Sequence, residues 1–199
     1  MHQLSASLAV WHRYDPTVKA DLYSTRLMAT SGTYLVDPIQ LDSAAFQVLL
    51  EGDHVAGLIV TNGNHARAAL EFSQELSAPI YAHAAARTDL QGADVIELTD
   101  GLSIASDLTA LTIEGAGPGE IALHSAGEGG TLVVGDALIN MGSAGFSFLP
   151  PKYCTKPKLM RKSLRKLLDY SFERILFAHG APIVSQARPR LVELLNGGA

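Results

Sequence analysis

Three apolar segments of the sequence each run into polar residues that could carry chemistry. Residues 55–60 are followed by Thr-Asn-Gly-Asn-His-Ala-Arg, residues 131–134 by Gly and Asp136, and residues 174–178 by His179. Short apolar runs of this kind predict strands that are buried on both faces. Polar residues at the ends of such strands are held by a rigid sheet, and protein sites are commonly built in this way. The pattern therefore predicts a site at these strand ends.

The elements that would position these residues are predicted as strands first and then as strands alternating with helices. The predicted strands cover residues 7–12, 24–29, 33–36, 55–60, 79–82, 97–98, 109–114, 120–124, 131–134 and 174–178. The predicted helices cover residues 42–50, ended by Gly52, and residues 66–76, 158–170 and 188–195. The strand at 55–60, the helix at 66–76 and the strand at 79–82 form a βαβ crossover unit. Gly-rich links in the middle of the chain favour hairpins.

This order of elements predicts a layered α/β (α+β) fold in which helices cover mixed sheets. The chain has 199 residues, a length that suits one domain over residues 1–199.

Five segments follow the order and spacing of the motifs of a known family. They are Tyr34–Pro38, Gly115–Glu120, Gly135–Asp136, Ser163–Leu168 and Ala178–Gly180. With these segments in place, the chain resembles the metallo-β-lactamase superfamily, which includes class B β-lactamases, glyoxalase II, lactonases and ribonucleases. The resemblance spans most of the chain. It implies a four-layer αβ/βα sandwich of two mixed β-sheets flanked by helices, with the site at one edge between the sheets.

The main metal-binding motif of the family, His-x-His-x-Asp-His, has been replaced in this chain. Its four ligand positions are occupied by Asn62, Asn64, Ala66 and Arg67. The histidine of the later Gly-rich turn is replaced by Ala116, and of the seven usual ligands only Asp136 and His179 remain. Zinc normally takes at least three His, Cys or carboxylate ligands from a protein. The resemblance therefore implies that the usual dinuclear zinc site is mostly lost, and it marks Asp136 and His179 as the candidate catalytic residues.

Arg67 stands where the family has a metal-binding histidine, so the resemblance places it near Asp136. A buried carboxylate without a cation costs several kcal/mol. A guanidinium can replace the charge of a metal ion through a bidentate pair. We therefore predict a salt bridge between Arg67 and Asp136 in preference to a bound metal.

A site for one zinc ion or another divalent metal is the alternative. His65 could turn inward and join Asp136 and His179, although we expect it to face solvent or to cap its helix. Glu120 could add a carboxylate, although we expect it to be a surface or turn residue.

Two further features could bind a ligand. Asn62 and Asn64 could hydrogen-bond a small polar or anionic molecule, or they could simply form the turn between strand and helix. Residues 152–166 hold seven of the fifteen Lys and Arg residues and could attract an anion or a nucleic acid. We expect a solvated helix face there.

Composition excludes several function classes. Residues 1–151 carry a net charge of −12 and residues 152–199 a net charge of +7, and a pI near 5.8 argues against a dedicated nucleic-acid binder. There is no apolar run of membrane-spanning length and no pattern of a cleaved signal. Cys154 is the only cysteine, so an internal disulfide is impossible and a cytoplasmic location is expected.

Three functions remain open from the sequence. The favoured one is a metallo-β-lactamase-fold protein of the hydrolase family without the standard dinuclear zinc activity. The second is an active hydrolase of an ester, amide or thioester with a rearranged single-metal site at Asp136 and His179. The third is a non-catalytic protein that binds a small polar or anionic molecule in a cleft lined by Arg67, Asn62, Asn64 and His179, as a monomer or a homo-oligomer.

Overall fold

A computed structural model describes residues 1–50, 54–91, 93–141 and 145–197. The strands are β1 (His2–Gln3), β2 (Leu8–Asp15), β3 (Ala20–Ala29), β4 (Gly32–Val36), β5 (Val55–Val60), β6 (Ile80–Ala82), β7 (Val95–Glu97), β8 (Ser103–Ala105), β9 (Leu108–Thr112), β10 (Ile121–Ser125), β11 (Thr131–Val134), β12 (Leu138–Met141), β13 (Gly145–Phe148) and β14 (Arg174–Phe177). The helices are α1 (Ser43–Leu50), α2 (Ala69–Leu76), α3 (Pro157–Leu164) and α4 (Ala187–Gly197), and short 3-10 helices lie at Gly63–His65, Ala84–Leu90, Gly127–Gly129, Pro151–Tyr153 and Arg165–Asp169.

The first sheet has seven strands in sequential order, β1 to β7. Strands β1 to β4 pair antiparallel, and strands β4 to β7 pair parallel. Parallel neighbours need a crossover connection, whereas antiparallel neighbours need only a tight turn. The crossovers are α1, α2 and the 3-10 helix at Ala84–Leu90. The predicted βαβ unit is confirmed, because β5 and β6 are parallel and α2 lies between them in the chain.

The second sheet has five strands in the order β14-β11-β10-β9-β8. Only the β11–β14 pair is parallel, and the other pairs are antiparallel. Strands β12 and β13 form a separate two-stranded hairpin.

The two large sheets pack face to face, and helices cover both outer faces. The inner layer joins apolar residues of both sheets, including Leu27, Ile59, Leu123 and Leu176. Residues of α1 and α2 pack on the outside of the first sheet, and residues of α3 and α4 pack on the outside of the second. Burying one such side chain stabilises the fold by roughly 1.5–3 kcal/mol. The predicted four-layer sandwich is confirmed.

Several boundaries differ from the sequence prediction. Helix α3 ends at Leu164 and continues as a 3-10 helix over Arg165–Asp169, which buries Leu167 in the outer core. Strands β1, β8, β12 and β13 are not predicted from the sequence, because each has at most four residues, too few to establish a periodic pattern. The predicted helix end at Gly52 lies outside the described residues. Within the described ranges, no helix is long and apolar enough to cross a bilayer.

Gly180 follows the strand end that carries His179 and is required by its surroundings. Its φ is +107°, in a region that L side chains rarely adopt, and an added Cβ would overlap the backbone carbonyl of Asn140. Gly101 also has a positive φ, +76°, but an added Cβ there would meet nothing within 4 Å. Alanine substitutions at these two positions therefore distinguish the free-energy cost of backbone strain from the cost of steric overlap.

We predict that Gly180→Ala lowers the free energy of unfolding by more than about 3 kcal/mol, since strain and overlap add. Gly101→Ala should lower it by only about 1 kcal/mol, which is the strain alone. Urea unfolding of both variants measures the two values. Equal losses of unfolding free energy in the two variants would show that the backbone of Asn140 does not obstruct a side chain at position 180.

Candidate metal centre

Parallel pairing brings Asp136 and His179 to one edge of the second sheet. Val134 at the end of β11 pairs with Phe177 at the end of β14, so the residues that follow both strands leave the sheet at the same edge. His65 reaches this edge from the first sheet. It ends the 3-10 helix that follows β5, and that helix is capped by Asn62, whose side-chain oxygen accepts the backbone N–H of Asn64 at 3.0 Å.

His65, Asp136 and His179 form a compact cluster. One carboxylate oxygen of Asp136, Oδ1, lies 3.3 Å from Nε2 of His65 and 3.3 Å from Nε2 of His179. One potential ligand atom from each residue lies within 4.8 Å of the other two. His65 is 2% exposed, and its Nε2 is buried without a hydrogen-bond partner among the described residues. The sequence-based expectation that His65 faces solvent or caps its helix is wrong, and the inward-facing alternative is confirmed.

This cluster fits one divalent metal ion. Two nitrogen donors and one carboxylate oxygen are the donor set of many catalytic zinc sites, in which a fourth position stays open. Donors that each lie about 2.0–2.1 Å from a tetrahedral zinc ion are separated by roughly 3.3 Å, and both nitrogens have that separation from Asp136 Oδ1. Nε2 of His65, which lies 3.3 Å from Asp136 Oδ1 without hydrogen-bond geometry, would gain a ligand bond from such an ion.

Asp37 and Thr61 orient His65 from behind. The backbone N–H and the hydroxyl of Thr61 donate to the Asp37 carboxylate at 2.8 and 2.6 Å. Nδ1 of His65 lies 2.8 Å from the Thr61 hydroxyl oxygen and 3.0 Å from Asp37 Oδ2. Because that hydroxyl already donates to Asp37, Nδ1 must be the donor to this pair. In the neutral ring the lone pair is then on Nε2, and carboxylates commonly orient metal-binding histidines in this manner. Asp37 lies in the motif segment Tyr34–Pro38, but no local pattern in the sequence predicts that Asp37 and Thr61 contact His65.

The charges of the cluster strongly shift the pKa values of His65 and Asp136. Burial by itself lowers the pKa of His65, but the facing carboxylates of Asp37 and Asp136 raise it to about 9. Burial would raise the pKa of Asp136, but His65 and His179 hold it far below its usual range. A buried anion thus has its cationic partners within the site, as burial of a charge requires.

Glu120 and Asn62 lie directly behind Asp136. Glu120 is 3% exposed, and its carboxylate accepts the amide of Asn62 at 2.7 Å and the backbone N–H of Ala137 at 2.9 Å. Burial and the charge of Asp136 raise the pKa of Glu120 to about 8. The expectation that Glu120 lies at the surface is wrong, because the turn before it folds the side chain into the interior. Asn64, in contrast, is exposed, and its backbone N–H donates to the side chain of Asn62.

The predicted salt bridge between Arg67 and Asp136 is wrong. The Arg67 guanidinium donates to the backbone carbonyls of Tyr23 and Asp37 at 2.7 and 3.0 Å and to that of Ala178 at 3.3 Å. These carbonyls belong to β3 and to the ends of β4 and β14, so Arg67 ties three strands together. Its positive charge still acts on the carboxylates of Asp37 and Asp136. Asp136 instead has His65, His179 and Asn62 as its partners.

The cluster opens to a cleft of about 740 Å³. Its lining combines the polar residues of the site with apolar side chains, and the apolar side chains are Val18, Ala20, Leu22, Ile139, Met141 and Tyr153. Pockets of this size, mostly apolar with a few convergent polar groups, bind small molecules.

Comparison with known proteins identifies the family. A family model described as the metallo-β-lactamase superfamily matches residues 1–197. The chain belongs to this superfamily. No curated protein sequence matches the chain.

Solved structures agree with this family in fold. The DIM-1 metallo-β-lactamase superposes with a TM-score of 0.78 at 11% identity, over 100% of this chain and 97% of that one. TTHA1623, solved in a di-iron-bound form, superposes with a TM-score of 0.68 at 20% identity, over 90% and 96% of the two chains. TTHA1429 from Thermus thermophilus, a metallo-β-lactamase family protein, gives a TM-score of 0.69 at 20% identity, over 98% and 80%. At these identities the likeness shows the fold alone.

We predict that the metal-free protein loses stability as the pH rises from about 6.5 to 9. The folded-state pKa of His65 is raised to about 9. The contribution of His65 to the free energy of unfolding is therefore complete when the pH is below the ordinary histidine pKa near 6.5, and it is lost as the pH approaches 9. The raised pKa of Glu120 acts in the same direction, from its ordinary value near 4.5 up to about 8. The melting temperature in the presence of a chelator should fall by at least about 5 °C across this range.

Two variants identify the group responsible for the fall. His65→Gln cannot gain the charge, so it should melt lower at pH 6.5 and show a flatter profile. His54→Gln, at an exposed position, should keep the profile of the unmodified protein. An unmodified protein whose melting temperature does not change between pH 6.5 and 9 would contradict the ionic pairing of His65.

Proposed function

We propose that this protein is a single-metal hydrolase that cleaves an ester, amide or thioester bond, with His65, Asp136 and His179 as the metal ligands. The observation that carries the proposal is the inward-facing His65, which supplies the third ligand that Asp136 and His179 lack by themselves. The proposal does not extend to the family's dinuclear chemistry. Three of its histidine positions are Asn62, Asn64 and Ala116, and neutral amide and methyl groups are poor or impossible zinc ligands.

The residues of the chain have separate tasks in this proposal. His65 and His179 present Nε2 to the ion, and Asp136 presents Oδ1 between them. Asp37 and Thr61 keep Nδ1 of His65 protonated so that Nε2 has a free lone pair. A divalent metal ion bound by these three residues would supply a Lewis acid for a substrate carbonyl group and for water. The apolar side chains of the cleft bind the acyl portion of the substrate and exclude bulk water.

The non-catalytic alternative has less support. It requires Asn62 and Arg67 to offer free donors to a ligand. Both donors are used within the protein, by Glu120 and Asp136 in one case and by three backbone carbonyls in the other. Asn64 and His179 also line the cleft, but Nε2 of His179 is already paired with Asp136 Oδ1 at 3.3 Å.

We predict that protein purified without a chelator contains about one equivalent of a divalent metal per chain. Elemental analysis for zinc, iron, manganese and nickel measures the content. His179→Ala and His65→Gln should each reduce it to less than about a tenth of an equivalent, because two ligands do not hold the ion. His54→Ala is the matched control, because His54 is exposed and away from the cluster, and it should keep the metal. A metal-free protein, or one that keeps its metal in all three variants, would overturn the proposal.

We further predict that the metal-loaded protein hydrolyses at least one substrate in a panel of aryl esters, lactones and acyl thioesters. His179→Ala should lower this rate by at least about 100-fold, while His54→Ala should leave it unchanged. The rate should also disappear with a chelator and return when metal is added. Metal-loaded protein that hydrolyses none of these substrates would refute the hydrolase assignment but not the metal site.

A further inference from the structure

We infer that Glu120 and Asn62 fill the place of the family's first metal ion and position Asp136 for the single ion at His65 and His179. The inference rests on the proposed function, because it concerns the same site. It extends the proposed function by assigning Glu120 and Asn62 as positioning residues and by setting the stoichiometry at one metal ion per chain.

The Glu120 carboxylate lies against Asn62, one of the residues that replace the three histidines of the first metal, and close to the Gly-rich turn that carries a second one, Ala116. Oε2 is 2.7 Å from the amide nitrogen of Asn62 and 4.0 Å from the place where a Cβ of Gly117 would stand, next to the buried Ala116. Oε1 is held by the backbone N–H of Ala137 at 2.9 Å. A carboxyl group bonded to protein donors therefore stands in this part of the site.

Neighbouring atoms pack closely around the Glu120 carboxylate. A Cβ on Gly135 would come within 2.7 Å of Glu120 Oε1 and within 2.7 Å of the Thr61 hydroxyl oxygen. Asn62 is 1% exposed and Ala116 is fully buried. The Glu120 carboxylate is thus closely packed and hydrogen-bonded in this part of the site, and the histidine nitrogens that a first ion would need are absent. The residues present therefore do not fit a first metal ion.

The Asn62 amide bridges the carboxylates of Glu120 and Asp136. Its nitrogen donates to Glu120 Oε2 at 2.7 Å and to Asp136 Oδ2 at 3.1 Å, so its two N–H groups hold the two carboxylates apart. Its oxygen accepts the backbone N–H of Asn64 at 3.0 Å, which fixes the amide orientation. With Oδ2 of Asp136 held in this way, Oδ1 faces the two histidine nitrogens. Outer groups that orient a ligand typically change metal affinity by about 10- to 100-fold.

The experiment measures zinc affinity and stoichiometry by calorimetric titration of the chelator-treated full chain. We expect one ion per chain for the unmodified protein. Asn62→Ala should weaken zinc binding by about 10- to 100-fold, because Asp136 loses its orienting donor. The matched control is Asn64→Ala, which removes the neighbouring exposed amide but keeps the backbone N–H that bonds to Asn62, and its affinity should be unchanged.

Glu120→Gln is a second, isosteric variant. Gln offers one acceptor where Glu120 offers two, so either Ala137 or Asn62 loses its acceptor, or the Asn62 amide turns its oxygen toward Asp136. Zinc binding should therefore weaken by about 10-fold or more while the shape of the side chain is kept. Far-UV circular dichroism and a cooperative melt check that each variant is folded. If one variant is unfolded, the other decides the result.

The outcomes separate this inference from the proposed function. Two zinc ions per chain would overturn the filled first position and leave a metal-dependent function standing. One zinc ion with equal affinity in the unmodified, Asn62→Ala and Glu120→Gln proteins would overturn the positioning role alone. No zinc binding by the unmodified protein would overturn both proposals.

Discussion

The carboxylate of Asp136 governs how the surrounding side chains are arranged. One oxygen is shared by the Nε2 atoms of His65 and His179, and the other accepts the Asn62 amide. A largely buried anion is stable only when opposite charge and hydrogen-bond donors surround it. This requirement explains why His65 turns inward and why its pKa rises to about 9 in the metal-free protein. A divalent cation would satisfy the same requirement with the histidines in their neutral form.

The two sheets supply these partners from opposite sides, and backbone strain marks the place where they meet. His65 comes from the first sheet, whereas Asp136 and His179 come from the second. Asp37 and Arg67 both have positive φ, at 48° and 40°, a conformation that costs of order 1–3 kcal/mol for residues other than glycine and clusters at functional sites. The bonds of Arg67 to backbone carbonyls of three strands help to hold this arrangement. The rigidity of the sandwich is thus used to hold a few side chains in place.

Compared with the motif of its superfamily, this chain has exchanged ligands for internal hydrogen bonds. At two of the replaced positions, Asn62 and Arg67 form hydrogen bonds with protein groups, and Glu120 adds a buried carboxylate beside Asn62. His65, which lies between the motif positions, gives the cluster a third potential metal-binding side chain that the motif does not contain. The superfamily fold is therefore kept, while the distribution of charge at its edge is changed. Membership in a fold family alone does not specify the chemistry of such a site.

Local sequence patterns indicated a layered fold with a site at the ends of buried strands, and the resemblance to the superfamily marked Asp136 and His179 as members of that site. Apolar runs encode buried strands, and the parallel β11–β14 pair brings the residues after both strands to one edge. The directions of His65, Glu120 and Arg67 could be known only from the packed molecule. A histidine or glutamate beside a glycine turn has no local periodicity that tells which way it points. Its direction depends on partners far away in the chain, such as the 58-residue separation of Asn62 from Glu120 and the 111-residue separation of Arg67 from Ala178. Those partners come together only when the two sheets pack.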